Sequence, residues 1–498
     1  MSGIRVTYSG LISFAIGIGS VITGMIFILI VTRQLTSNEL GAWTLIGGLI
    51  TYIIISESVI SYWVTREIAR GTESGKTAVF ASGIFSIVGI VIYLLVAYVG
   101  AEQFKVDKNI LFFASILIPV IFLDRTLSSI NLGWKPQAAS YGSLAFEYLK
   151  IPAGMIFVYF LHLGVTGAII TTFVAYFLST IISLIYARNK IRNKIRIEFL
   201  KKWLKLSWLT YYPQLANLIS KFDVLIYTLI VGSVTGLAYY TAAITISSLV
   251  AQSGTISKAL YPKLLEGDGR QYLQENLIRV FYFIIPLTAL SIAFARPALF
   301  ALNPLYEVAA IVAIFMIIRI FFTTLTGVFY PALTAIEKVD IDEKATFRDY
   351  LKSKLFSLPT ISIIQASIYL ISLSIVLLFL VSSRLEQINL VIYWSIIMAV
   401  TEFPLTIYLY TLVRKNFVLK IGHEILLKYS LTSIGVFGTM YFLSTQFLEF
   451  KKSIFEFLPN LLLFVLSGML CYFMITYLID NRTQELFKAV IKELRKRN

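Results

Sequence analysis

The feature that most constrains this chain is a succession of apolar runs, each about 20 residues long and mostly separated by short turns. They fall near 9–32, 41–63, 78–100, 110–130, 143–161, 165–187, 207–231, 237–259, 280–301, 308–331, 359–382, 390–413, 429–447 and 457–479. As a helix rising about 1.5 Å per residue, a run of that length crosses the roughly 30 Å hydrocarbon core of a bilayer and bonds its backbone groups internally. Strands of a membrane barrel would alternate apolar and polar residues over about 10 positions, and these runs do not. Only 14% of the residues are charged and 58% are hydrophobic, whereas roughly a quarter are charged in a soluble domain. The chain reads as an all-α integral membrane protein with about 14 transmembrane helices.

Charge orients it. The formal net charge of +16 comes from 43 basic against 27 acidic residues, and the stretch 188–205 alone holds eight Lys or Arg against the single acid Glu198. Flanked by membrane-grade runs, a basic loop belongs on the cytoplasmic side. With the N-terminus inside, about 32 of the Lys and Arg outside the spans fall on that side and about 6 on the other. Both termini are then cytoplasmic in a multi-pass protein of the cell membrane, and the positive excess serves topology, with no nucleic-acid partner expected. The first apolar run is too long for a signal-peptide core and no small-residue cleavage site follows it, so it is expected to stay. The one cysteine, Cys471, and the two histidines, His162 and His423, offer neither a disulfide framework nor a metal cluster.

The two halves resemble each other. LGAWTLIGGLITY (40–52) opens the second span, which ends at TREIARG (65–71); LAYYTAAITISSL (237–249) opens the eighth, which ends at YPKLLEG (261–267). Parallel repeats of six spans joined by a cytoplasmic linker are a transporter plan that handles substrate between lobes. The expected organisation is an N-lobe at 1–187 (helices 1–6), a basic linker at 188–205, a C-lobe at 206–415 (helices 7–12), and helices 13 and 14 with a basic tail at 416–498. The one long loop, 332–358, is cytoplasmic, which leaves no soluble module for catalysis. No enzymatic activity and no cofactor are expected.

The hairpin VTRQLTSNELGAWTL (31–45), the segment SYWVTREIARG (61–71) and the long stretch LTYYPQLANLISKFDVLIYTLIVGSVTGLAYYTAAITISSL (209–249), with its sequel KALYP (258–262), resemble the polysaccharide biosynthesis or oligosaccharide flippase family. That family belongs to the multidrug/oligosaccharidyl-lipid/polysaccharide exporter (MOP) superfamily, with the multidrug and toxin extruders and the lipid II flippases. The resemblance implies two pseudo-symmetric six-helix lobes around a central cavity, lined mainly by the first two helices of each lobe, plus two C-terminal helices. The charged insertion at 335–354 is longer than the family pattern.

An ionisable side chain at the centre of a span costs about 2.5 to 3.5 kcal/mol on insertion scales, so each one needs a reason. Lys221 and Asp223, two apart in span seven, point about 200° apart on a helix and look to other partners. Lys221 is a candidate to contact an anionic head group, with an ion pair, for instance to Glu57, as the structural alternative. Asp223 reads as a partner within its lobe. Glu147 and Lys150 share one helical face and suit a self-satisfied pair. Arg125, beside Asp124, can reach the inner mouth; Arg319 lies mid-span with no acid within one turn; Arg66 stands at the cytoplasmic end of span two, where a plain topological anchor is the alternative. Lys221, Arg319, Arg66 and Arg125 are therefore the head-group candidates, and Glu57 and Asp223 the acids for ion coupling or structure.

Other signals carry less. Asp340-x-Asp342 resembles a metal and nucleotide-sugar site, yet it lies in a mixed-charge loop that suits a solvated face. Asn481-Arg-Thr483 matches a glycosylation sequon on the wrong side of the membrane. No phosphate-cradling Gly-Lys-Ser/Thr loop occurs to power transport by ATP hydrolysis. Trp63, Trp203, Trp208 and Trp394 lie near span ends and suit the interfacial belt. The expected function is a flippase that moves an anionic lipid-linked oligosaccharide or polysaccharide precursor to the outer leaflet by alternating access, with membrane lipids and glycan-assembly enzymes as further partners. The alternatives are a cation-coupled drug or metabolite antiporter of the same fold and a membrane glycosyltransferase or polymerase.

Overall fold

In the computed structural model the structure describes residues 2–205, 207–259, 264, 269–337, 339, 347–417, 419, 422–485 and 488, and every regular element among them is helical. Fourteen long helices follow the expected spans. They are α1 (Ser2–Gln34), α2 (Ser37–Ala69), α3 (Gly75–Phe104), α4 (Lys108–Trp134), α5 (Ala138–Phe160), α6 (Gly164–Ala187) and α7 (Tyr212–Val231). Then come α8 (Thr235–Ala251), α9 (Tyr272–Ala293), α10 (Pro304–Ala335), α11 (Lys354–Ser382), α12 (Gln387–Phe417), α13 (His423–Phe447) and α14 (Ile454–Ile479). Twelve of them are long and apolar enough to cross a membrane, and Ile18–Gln34 is a shorter apolar stretch of α1. Asp340-x-Asp342 lies outside the described residues.

Local chemistry sets the boundaries. Thr36 and Glu39 form a reciprocal capping box at the start of α2: the Glu39 N–H donates to Thr36 Oγ1 (3.3 Å) and the Thr36 N–H to Glu39 Oε2 (2.9 Å). Asn303 caps α10 by accepting from the Leu305 N–H at 3.0 Å. Gly232 ends α7 with φ +63, the left-handed C-terminal conformation that glycine adopts without a Cβ penalty. The ninth span begins earlier than 280 and stops at Phe294, and a separate short helix, Ala295–Leu302, follows. The cause is Pro297, whose ring would collide with the carbonyl of Ala293 if α9 ran on, but which fits the first turn of a new helix. In the same way Pro152 interrupts α5, which finishes as a π-helical segment, Met155–Phe160.

The chain forms two compact units. The first comprises Thr23–Thr241 and Ala366–Leu390. Its helices approach closely through small residues, the packing that membrane helices use in place of a hydrophobic drive. A Cβ on Gly133 of α4 would stand 2.7 Å from the Thr65 carbonyl of α2, and one on Gly142 of α5 would stand 2.6 Å from Ser183 Oγ of α6. Asn131 Nδ2 donates to the Ser183 carbonyl at 2.8 Å, joining α4 to α6. Thr44 of α2 and Thr241 of α8 meet hydroxyl to hydroxyl. They occupy the same position in the repeated stretches 40–52 and 237–249.

The basic run docks on this unit. Its short helix Ile197–Lys205 buries Trp203 among Val64 and Ile68 of α2, Ala78 of α3 and Leu127 of α4. The Trp203 indole N–H donates to Glu67 Oε1 at 3.2 Å, with Lys202 Nζ 3.6 Å from the same oxygen, and the Arg196 N–H donates to Thr77 Oγ1 at 2.9 Å. This corrects the interfacial assignment of Trp203: the indole N–H has a carboxylate partner, so the whole ring can be buried. Trp394 is likewise fully buried.

The second unit comprises Met1–Ile22, Ala242–Gln365 and Val391–Asn498. A tyrosine cluster ties α13 and α14 to α9. Tyr472 Oη donates to the Tyr282 carbonyl at 3.1 Å, Tyr282 Oη lies 3.1 Å from Thr476 Oγ1, and Tyr429 Oη donates to Asp480 Oδ2 at 3.0 Å. Thr483 of the sequon match is buried and donates through Oγ1 to the same Asp480 oxygen at 2.8 Å.

Candidate functional site: a polar pocket within the spans

Midway along its length α2 tightens into a 3₁₀ turn, Ile55–Glu57, between Ser37–Ile54 and Ser58–Ala69. Such turns inside long helices mark strain or function. Here the turn delivers Glu57 to the interior of the first unit, where only 2% of its surface stays exposed. Its Oε1 accepts from Ser61 Oγ (2.5 Å) and from Thr126 Oγ1 of α4 (3.1 Å), and Ser129 Oγ donates in turn to Ser61 Oγ (2.7 Å). Hydroxyl donors replace the water that a buried carboxylate would otherwise lack.

Two further acids are held nearby. Asp124 Oδ1 accepts from Ser179 Oγ of α6 at 2.7 Å. Glu147 of α5 forms the ion pair its spacing predicts, with Lys150 Nζ at 2.5 Å, and its Oε2 also accepts from Thr23 Oγ1 at 2.6 Å. Among the described residues, none of these three carboxylates is ion-paired to an arginine. Yet Arg66 and Arg125 line the same space, both exposed to it, and among the described residues neither is ion-paired. Arg66 lies over the ring of Tyr62, 4.4 Å from its centroid.

Together α2, α4, α5 and α6, with Gln214 from α7, line an open cleft of about 740 Å³. That is within the range of about 300–1,000 Å³ typical of small-molecule sites. Its walls combine the guanidiniums of Arg66 and Arg125 and the carboxyls of Glu57, Asp124 and Glu147 with the hydroxyls of Ser58, Ser61, Ser128, Ser129 and Ser143 and the rings of Tyr62, Phe146 and Tyr176. A planar guanidinium presents paired N–H donors that match a phosphate or carboxylate, and hydroxyls match sugar oxygens. The arrangement can bind a polar anion inside the membrane.

The structure thus brings together Arg66, Arg125 and Glu57 of the residues proposed from sequence. Lys221 is exposed at the break in α7 around Phe222, and its charge and that of Arg125 act on each other. Its carbonyl accepts from Tyr52 Oη, and it makes no ion pair with Glu57, whose oxygen is held by hydroxyls. Asp223 is buried and accepts from Tyr369 Oη of α11 at 2.7 Å, within the same unit. Arg319 belongs to the other unit, where Nη1 lies 3.9 Å from Met398 Sδ and Glu402 of α12 is its electrostatic neighbour.

Reasoning from sequence alone missed the hydroxyl wall, Tyr176 and Gln214. A signal was present: Glu57, Ser61 and Thr65 recur every fourth residue, a polar stripe on one side of an otherwise apolar helix.

The fold is a polytopic helical membrane architecture shared with solved MOP superfamily transporters. It is similar to a multidrug resistance MATE family transporter of that superfamily in an inward-facing conformation, with a TM-score of 0.59 and 14% identity over 82% of this chain and 98% of that one. The outward-facing conformation of such a transporter gives 0.54 and 14%, over 84% of this chain and 95% of that one. A MOP superfamily transporter from Pyrococcus furiosus, described as having a binding pocket of reverse polarity, gives 0.55 and 12%, over 84% and 99%. No protein-family model matches the sequence. No curated protein matches it either.

Proposed function

We propose that this protein is a MOP superfamily flippase that moves an anionic lipid-linked oligosaccharide or polysaccharide precursor from the cytoplasmic to the outer leaflet of the cell membrane. The observation that carries this reading is the pocket within the spans in which, among the described residues, neither Arg66 nor Arg125 forms an ion pair while the neighbouring acids accept from hydroxyls and Lys150. Unpaired cations within a span mark a pathway for an anion. With both termini inside, the pocket opens near the cytoplasmic ends of α2 and α4, and the basic segment 188–205 concentrates anionic head groups there. Lobes at 1–187 and 206–415 rock to alternate access, and Lys221 and Arg319 replace hydration of the head group along the path. An inside-negative potential favours outward movement of an anion by about 2.3 kcal/mol per charge per 100 mV.

A second reading is export of a drug or metabolite by cation exchange, which the fold relatives described as multidrug resistance transporters and the acids Glu57, Asp124 and Asp223 favour. The deciding experiment is reconstitution in vesicles with a fluorescent polyprenyl-pyrophosphate sugar and, separately, with a cationic dye. Translocation of the lipid-linked sugar that is lost in the Arg66→Gln/Arg125→Gln variant supports the flippase; dye export without lipid translocation rejects it.

A further inference from the structure

The polar pocket has an apolar neighbour. α2, α3 and α7 surround a groove of about 550 Å³ whose walls include Tyr52, Ile53 and Ser56 of α2, Val88 and Tyr93 of α3, and Leu225 of α7. α2 is a wall common to both cavities: Ser56 faces the groove, and Glu57 and Ser58 face the polar pocket. On α3 the groove runs from Ile84 to Val96, about 18 Å at 1.5 Å per residue. Ile84, Val88, Ile92 and Val96 are all exposed large hydrophobics on a membrane-spanning helix, so the groove opens to lipid and hydrocarbon is what reaches it.

Position selects among hydrocarbons. The stretch 84–96 is centred on residue 90, the middle of Gly75–Phe104, so the groove extends about 9 Å to either side of the bilayer midplane. An acyl chain of an ordinary phospholipid fills one leaflet, about 15 Å, and ends at the midplane. A polyprenyl chain is long enough to continue through it.

We propose that the groove between α2, α3 and α7 holds a segment of the substrate's polyprenyl chain across the midplane while the phosphate lies against Arg66 and Arg125. This rests on the flippase reading above. The polar pocket is lined by the ends of α2 and α4 that lie on one side of the membrane, and the groove lies at mid-depth, the order in which an amphiphile presents head and tail.

The test uses the full chain in lipid nanodiscs and a polyprenyl phosphate carrying a diazirine in a mid-chain isoprene unit. Photolabelling is expected on residues 84–96 and 49–56 and is competed by unlabelled polyprenyl phosphate, whereas phosphatidylglycerol does not compete. Val88→Trp, a change at a lipid-exposed position, is expected to abolish labelling of 84–96, because the indole fills space in the groove that the chain would occupy. Labelling confined to other helices, equal labelling by a phosphatidylglycerol diazirine probe, or indifference to Val88→Trp would each overturn the groove assignment. The flippase reading fails separately, if Arg66→Gln/Arg125→Gln leaves binding of the polyprenyl phosphate unchanged.

Discussion

Replacing Arg125 with Gln is the most informative single change. Arg125 is the charge common to the site: it acts on Glu57, Asp124, Tyr176 and Lys221, yet it is ion-paired to none of the acids among the described residues. Removing it therefore breaks no structural ion pair, and the loss falls on whatever anion the pocket binds. A hydrogen bond to a charged group contributes about 1.5–3 kcal/mol, which is roughly a ten- to hundredfold weaker affinity for a phosphate head group. Arg125→Lys keeps the charge but loses the planar fork, and so falls between wild type and Gln. Both are measured by titrating a polyprenyl phosphate against purified protein in nanodiscs at two salt concentrations, with thermal unfolding as a check on folding. Unchanged affinity in Arg125→Gln, with unchanged unfolding temperature, would refute the anion assignment. A large fall in unfolding temperature would instead show that Arg125 supports the helices around it.

Further outcomes follow from the same contacts. Glu57→Gln keeps an acceptor for Ser61 and Thr126 and should leave expression intact; if Glu57 carries a coupled cation, transport becomes independent of imposed proton or sodium gradients, and persistence of that dependence removes Glu57 from coupling. Trp203→Ala empties a fully buried site under the basic segment and should cost about 3–5 kcal/mol, read as a lowered unfolding temperature in detergent; Trp203→Phe loses mainly the bond to Glu67 and should cost about 1 kcal/mol. Thr44→Cys/Thr241→Cys, in a Cys471→Ser background, should form a disulfide on mild oxidation because the two side chains already touch. Transport that stops when this bridge forms and returns on reduction would show that α2 and α8 separate there during the cycle; undiminished transport would show that they stay together. Asp480→Ala removes the acceptor shared by Tyr429 and Thr483 and should loosen α13 and α14, visible as faster amide exchange in 423–447.

The spans were legible in the sequence because the cost of placing backbone and charge in hydrocarbon is local, and each run of apolar residues declares it independently. So was the Glu147–Lys150 pair, three residues apart on one helical face. The individual charges that would need partners, Glu57, Arg66, Arg125 and Lys221, stood out for the same reason. What they would meet did not. Glu57 and Thr126 are 69 residues apart, and Trp203 and Glu67 are 136 apart; such meetings depend on which helix packs beside which, and small residues such as Gly133 and Gly142 set that through close approach. The tertiary structure alone decided that the hydroxyls satisfy the acids and leave two arginines facing a cavity, that the basic run is anchored by a buried tryptophan, and that an apolar groove lies on the other side of α2 from the wall that holds Glu57. Sequence sets which groups are expensive in a membrane, and packing decides which of them are left free to bind.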